Sequence, residues 1–287
     1  MIFLAYDVWF PYLNLKIKNL PRIAFRLFGL DIYFYGIIIA LAIICGMIVV
    51  IYKAKKSYQN EDEYIDFIFW AIIFGIIGAR IYYVLFSWDN YKFDLKKIFF
   101  IRQGGIAIYG AIIASILTAI FYCKKRNLDL KVFCDTCTYG LLTGQIIGRW
   151  GNFFNREAFG RETNNFFAMR YLASKVNFYD EIKPIIIDNF KYIQVHPTFL
   201  YESVWNLLIL IFLIWYEERK KFDGEIFWLY LFFYAVGRFF IEGLRVDKLL
   251  LFSFPISQIV SLIIFILTGI ILIKKYFFAD DKKIFKK

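Results

Sequence analysis

Between Gly148 and Gly160 the chain reads Gly-Arg-Trp-Gly-Asn-Phe-Phe-Asn-Arg-Glu-Ala-Phe-Gly. The stretch begins where an apolar run ends, so Arg149 sits close to hydrocarbon. Ionisable groups at membrane depth are expensive and mark sites or pathways. A guanidinium there offers a planar fork of donors that suits a phosphate. Asn152, Asn155, Arg156 and Glu157 follow within a few residues. Gly148, Gly151 and Gly160 allow turns and close backbone approach. The plainer alternative is a helix end with an interfacial anchor.

A second constellation lies near the C-terminus. Tyr234, Arg238, Glu242 and Arg245 fall at i, i+4, i+8 and i+11, which is one continuous helix face. Glu202 follows His196-Pro197 at the start of another apolar run, and Arg80 lies near the end of a third. One arginine can pair with Glu202 or Glu242 while the other receives an anion. Alternatively, Arg238, Glu242 and Arg245 are internal ion pairs, although burying so many ions without use is costly.

These residues must be positioned by membrane helices. The 287 residues are 60% hydrophobic and 22% aromatic, unlike a soluble domain. Apolar runs of about 20 residues suit spans. The spacing predicts seven, at residues 33–52, 64–86, 106–123, 132–148, 198–216, 225–244 and 256–273. The expected class is therefore an all-α polytopic membrane protein of seven transmembrane helices with a small external head at 149–198. Residues 1–32 read as an interfacial segment and 274–287 as a basic cytoplasmic tail. Lysines and arginines cluster after spans one, three, five and seven, placing those ends in the cytoplasm and the N-terminus outside. A loop with Lys92, Lys96, Lys97 and Arg102 sits less easily outside. The head carries Asp180 and Glu181, and the tail ends in Lys286 and Lys287. Gly140, Gly144 and Gly148 form a small-residue ridge on span four, and Gly75, Gly78 and Ala79 serve close packing on span two.

The formal charge of +11 is spread in short clusters between apolar runs. Anionic membrane lipid is the expected partner, and nucleic acid is not. Cys134-x-x-Cys137 lacks the context of a redox motif, so it and Cys45 and Cys123 read as small packing residues. One histidine and no clustered ligands leave no metal site. The first residues lack the basic region and cleavage site of a signal peptide.

Taken together, these stretches resemble the bacterial phosphatidylglycerol–prolipoprotein diacylglyceryl transferases. The resemblance rests on residues 148–160, on Tyr35-Gly36, Gly78-Ala79-Arg80, residues 104–110, residues 196–202 and residues 238–245. These motifs occur in order across roughly residues 30–275. The resemblance implies transfer of the diacylglyceryl group of phosphatidylglycerol to the lipobox cysteine of a preprolipoprotein in the bacterial cytoplasmic (inner) membrane. A thioether forms and glycerol phosphate leaves, without metal or nucleotide. It implies catalytic roles for Arg149 and Arg238 on the phosphate. Asn152, Asn155 and Glu157 would shape the head-group pocket, with Gly160 turning beneath it. Tyr35, Arg80, Glu202, Tyr234, Glu242 and Arg245 would position lipid or arginine. Some relatives carry histidine where this chain has Tyr109. With a reference pKa of about 10, Tyr109 is a poor base and is expected to orient substrate by hydrogen bonding. His196 is a weaker candidate base. A membrane transporter or channel for an anionic solute is the alternative, but inverted repeats and broken helices are not evident.

Overall fold

The computed structural model describes residues 5–101, 104–177, 182–248, 250–251 and 254–284. Arg102, Asp180, Glu181, Lys286 and Lys287 lie outside the described residues. The chain is mostly helical. In order it forms strands β1 (Val8–Phe10), β2 (Leu15–Ile17), β3 (Ile23–Leu27) and β4 (Leu30–Tyr33), then helices α1 (Phe34–Lys56), α2 (Glu61–Phe86), α3 (Ile108–Arg126) and α4 (Leu130–Asn155). Strands β5 (Met169–Leu172), β6 (Ile185–Ile187) and β7 (Phe190–Val195) follow. Helices α5 (Thr198–Tyr216) and α6 (Glu225–Leu244), strands β8 (Leu250–Leu251) and β9 (Phe254–Pro255), and helix α7 (Ile256–Ile284) complete it. Among the described residues, six helices are long and apolar enough to cross a membrane: α1, α2, α3, α5, α6 and α7. Helix α4 falls short because Lys131, Asp135, Gln145, Arg149 and its asparagines interrupt it.

Two compact units emerge, one built from Met1–Gly46 and Thr138–Lys287, the other from Met47–Cys137. In the second unit α2 and α3 meet across small residues. A methyl group on Gly78 would lie 2.7 Å from the Gly110 carbonyl oxygen, and one on Gly75 3.4 Å from Ser115 Oγ. Helix α2 starts cleanly, because Asn60 Oδ1 accepts from Asp62 N at 3.1 Å and Glu61, Asp62 and Glu63 occupy its first turn. Both features satisfy or complement the exposed N–H end of a helix. Tyr64, Phe133, Cys123 and Val50 form this unit's core.

In the first unit the glycine ridge of α4 lies on α1. A methyl on Gly46 would sit 2.8 Å from the Gly140 carbonyl oxygen, one on Gly144 3.5 Å from the Ala42 oxygen, and one on Gly148 3.6 Å from Ile39 Cδ1. The every-fourth-residue spacing therefore becomes a helix contact, as small-residue ridges do in membranes. Trp205 packs over Gly237, joining α5 to α6, and its indole N–H donates to the Phe233 carbonyl at 2.9 Å. Phe232 and Phe265 stack at 4.7 Å between α6 and α7.

Three expectations are corrected. The chain is not all-α: a five-stranded antiparallel sheet of order β2-β1-β5-β7-β6 and two two-stranded hairpins accompany the helices. Most of these strands have only two to four residues, too few for a period-two pattern to stand out. Residues 1–32 do not form a segment of their own, because β1 pairs with β5 in the register Val8↔Tyr171 and Trp9↔Arg170. Finally, two helical runs continue well past the expected ends. Helix α4 continues past Gly148 to Asn155, and α7 continues past Ile273 to Ile284. Polar residues do not stop a helix; proline and left-handed backbone do.

Candidate functional site

The site is assembled by the ends of three helices of the first unit. Helix α4 ends where Arg156 and Ala158 take left-handed backbone, with φ of 54° and 55°. These two residues, rather than a glycine, make the turn. Gly160 has an ordinary φ but no room for a side chain: a methyl there would lie 2.7 Å from His196 Cβ and 3.0 Å from the Leu244 oxygen. Gly160 N donates to the His196 oxygen at 2.9 Å, and Arg161 N to the Leu244 oxygen at 2.8 Å. The loop after α4 is thus stitched to the start of α5 and the end of α6. The expected turn at Gly160 is corrected to a close approach.

Arg149 from α4, Glu202 from α5 and Arg238, Glu242 and Arg245 from α6 form one ionic chain. Arg149 Nη2 lies 2.6 Å from Glu202 Oε2, and Arg238 Nη1 lies 2.9 Å from Glu202 Oε1. The two arginines therefore bracket a single carboxylate. Arg238 Nη2 reaches Glu242 Oε2 at 2.5 Å. Arg245 lies 3.9 Å from both Glu202 and Glu242. Its guanidinium is held instead by Asp247, through Nε at 2.9 Å and Nη2 at 2.7 Å. The carboxylates of Glu202 and Glu242 are 5% and 4% exposed, whereas Arg149 keeps 22%. Glu202 is Arg149's one ion-pair partner among the described residues. Among the described residues, that carboxylate takes only part of the five-donor guanidinium of Arg149.

Beside this chain, Asn152 Nδ2 and Asn155 Nδ2 donate to the same Glu157 oxygen, at 3.1 and 3.3 Å. Tyr35 on α1 lies against Gly151, where a methyl group would come within 2.9 Å of its ring. A cavity of about 690 Å³ opens here, lined by Tyr35, Asn155, Glu157, Asp31, Arg22 and Asp247 among others. Arg149 and Arg238 are not among its walls; Asp247 joins it to their ionic chain through Arg245. Tyr234 stands one turn from Tyr230, ring centroids 5.7 Å apart, and Tyr230 Oη accepts from Gln145 Nε2 of α4 at 2.7 Å.

Arg80 and Tyr109 belong to the second unit. Arg80, expected to touch substrate, is buried and spends its donors on backbone. Nε donates to the Ile98 oxygen at 2.8 Å, Nη1 to those of Gly104 and Gly105 at 2.9 and 2.6 Å, and Nη2 to that of Lys97 at 2.6 Å. Its geometry is that of a loop organiser. Tyr109 is the second residue of α3, with its ring 6.4 Å from that of Tyr82. His196 lies 3.2 Å from Tyr201 Oη through Nδ1, and Asn165 Nδ2 lies 3.3 Å from the same nitrogen. Burial pulls the imidazole below its usual range.

Two further partners escaped the sequence reading. Asp247 stands two residues beyond Arg245, and that spacing was the available signal. Arg156 pairs with Asp7 at 2.9 Å and donates to the Leu20 oxygen. Burial, the dominant influence, lowers the Arg156 pKa against the pull of Asp7. No sequence signal links positions 149 residues apart.

The family profile described as prolipoprotein diacylglyceryl transferase matches residues 22–274. A Finegoldia magna protein named phosphatidylglycerol–prolipoprotein diacylglyceryl transferase is 43% identical over 258 residues, covering 90% of this chain and 96% of the relative. A Clostridioides difficile protein of the same name is 41% identical over 244 residues, 85% of this chain and 91% of the relative. One from Listeria welshimeri is 38% identical over 280 residues, 94% and 98% respectively. This chain, then, belongs to the prolipoprotein diacylglyceryl transferase family and is a transferase of the membrane with several spanning helices.

Proposed function

We propose that the chain transfers the diacylglyceryl group of phosphatidylglycerol to the lipobox cysteine in the signal peptide of a preprolipoprotein. This is the first step of lipoprotein maturation, carried out in the bacterial cytoplasmic membrane. The observation that carries the reading is the bracket of Arg149 and Arg238 on Glu202. A carbon–sulphur bond forms at the glyceryl carbon, and the carbon–oxygen bond to phosphate breaks. The bond's electron pair leaves with glycerol phosphate, and the thiol's proton is released. Negative charge therefore grows on phosphate oxygen. Arg149 presents its uncommitted donors to that oxygen, and Arg238 supports it through the shared carboxylate. Donors fixed in advance around developing charge are usually the largest single contribution to such catalysis. A cysteine thiol with a pKa of about 8.5 is already partly ionised near neutral pH, so the phosphate is where help is needed. Asn152, Asn155 and Glu157 shape the head-group pocket, and Tyr109 orients substrate.

In this reading α4 spans as well, giving seven crossings, an outer N-terminus and sheet, and an inner C-terminus. The basic ends of α1 and α3, and Arg219, Lys220 and Lys221 after α5, support this. They share one side of the membrane only if α4 also crosses, and basic residues favour the cytoplasmic side.

The test is mass spectrometry of a lipobox peptide incubated with purified protein and phosphatidylglycerol. The expected result is a diacylglyceryl mass gain on the cysteine. An unmodified peptide, with the lipid intact and the protein folded, overturns the reading.

A further inference from the structure

Two hairpins of the first unit make the same tight turn with opposite chemistry. Between β6 and β7 the turn residues are Asp188 and Asn189, with φ of 49° and 68°; between β3 and β4 they are Phe28 and Gly29, with φ of 49° and 77°. A two-residue turn with both φ values positive favours Asn, Asp and Gly. The first hairpin obeys that rule and points polar groups at water. The second places a bulky aromatic where such residues are outliers. Phe28 is 93% exposed, so it serves neither the turn nor the core.

The rest of this hairpin is two-faced. Its register pairs Phe25 with Ile32, Arg26 with Asp31 and Leu27 with Leu30. Side chains alternate across a strand, so Phe25, Leu27, Leu30 and Ile32 share one face. Phe25, Leu27 and Leu30 are exposed. The other face holds Arg26 and Asp31, joined at 2.5 Å. Ile23 to Tyr35 contains no other charge.

The hairpin also ends where a helix long and apolar enough to span a membrane begins. Strand β4 ends at Tyr33 and the spanning helix α1 begins at Phe34, whose N–H donates to the Arg22 oxygen at 2.9 Å. The base is thus tied to the first residue of a span. Farther along that helix Leu41, Ile43 and Ile44 are exposed. Five residues of strand reach about 16 Å, enough to lie along the boundary of head groups and acyl chains.

We propose that the β3–β4 hairpin rests in the surface of the phospholipid bilayer. Phe25, Leu27, Phe28 and Leu30 enter the lipid, and the Arg26–Asp31 pair faces water. Asp31, Ile32 and Tyr33 also line the cavity beside Tyr35 and Glu157, so the hairpin is a wall shared by bilayer and cavity. The inference rests on α1 as a membrane span and not on the transfer reaction.

The test uses the full chain in vesicles of phosphatidylethanolamine and phosphatidylglycerol. 4-Trifluoromethylphenylalanine replaces Phe28, Leu30 or Asp188, one at a time. Fluorine relaxation is then measured with dissolved oxygen, which concentrates in lipid, and with a water-soluble gadolinium chelate. The expected result is a higher ratio of oxygen to chelate effect at 28 and 30 than at 188. An equal ratio at 28 and 188 overturns the proposal. Protection of 28 from both agents also overturns it, since protein then covers the face. Should the variant at 28 not fold, the reading at 30 decides alone.

Discussion

Arg80 in the second unit and Arg149 in the first are both arginines within helices of 26 residues, yet they are held in different ways. Arg80 is ringed by backbone carbonyls of Lys97, Ile98, Gly104 and Gly105. Those partners are fixed by the chain and cannot be exchanged for a ligand. Among the described residues Arg149 has one carboxylate, which it shares with Arg238. A shared carboxylate leaves guanidinium donors unfilled, which the phosphate role proposed for Arg149 requires. The lesson is that an arginine's role is read from how many of its donors are already committed. Its depth in a helix is a poorer guide.

Five experiments break or sharpen that contrast, and the first carries the largest effect. Glu202→Gln keeps the shape but removes the charge between Arg149, Arg238 and Arg245. Breaking a buried ion pair from one side costs about 3–5 kcal/mol, so denaturant unfolding in detergent should show a loss of that order together with lost transfer. Retained stability would mean the network is not shared as the distances indicate. Arg149→Lys keeps charge and loses the fork; transfer to a lipobox peptide should fall about 10²–10³-fold, the loss typical of one preorganised donor. Near-full activity refutes the phosphate role. Arg80→Met leaves four carbonyls without their donor. It should lower stability by about 1–3 kcal/mol, with transfer per folded molecule largely kept. A selective loss of transfer would move Arg80 into the substrate site.

The smaller effects come from single hydrogen bonds and one titration. Tyr109→Phe should reduce turnover about tenfold, the effect of about 1.4 kcal/mol, with the fold intact. An unchanged rate removes Tyr109 from the reaction. His196 has a pKa lowered by burial, so the folded state favours the neutral ring. The unfolded chain takes up its proton near pH 6.5. Stability from this group is therefore full above that pH and declines as pH falls below it. His196→Gln should flatten that part of a pH–stability curve, and an unaltered slope would show that His196 does not contribute.

Much of the site was legible because helical spacing is a local property. Arg238, Glu242 and Arg245 share a face by their intervals alone, and the structure joins them. The glycines at 140, 144 and 148 likewise became the contact with α1. Asp7, by contrast, meets Arg156 only through the return of the chain. The strand pairing of Val8 with Tyr171 is equally invisible, since three residues carry no periodicity. Arg80 was misleading for the same reason: its carbonyl partners bear no side-chain identity. The anion-transporter alternative drew on the same arginines, and the family match favours group transfer.

By itself the sequence determined the helices, their apolar faces and the motif order, because helix periodicity and hydropathy depend on neighbours along the chain. Only the tertiary structure decided that Glu202 stands between Arg149 and Arg238, that Asp7 meets Arg156, and that the N-terminal strands complete the sheet. Those are pairings across long stretches of chain, and distance in space is set by packing rather than by position in the sequence.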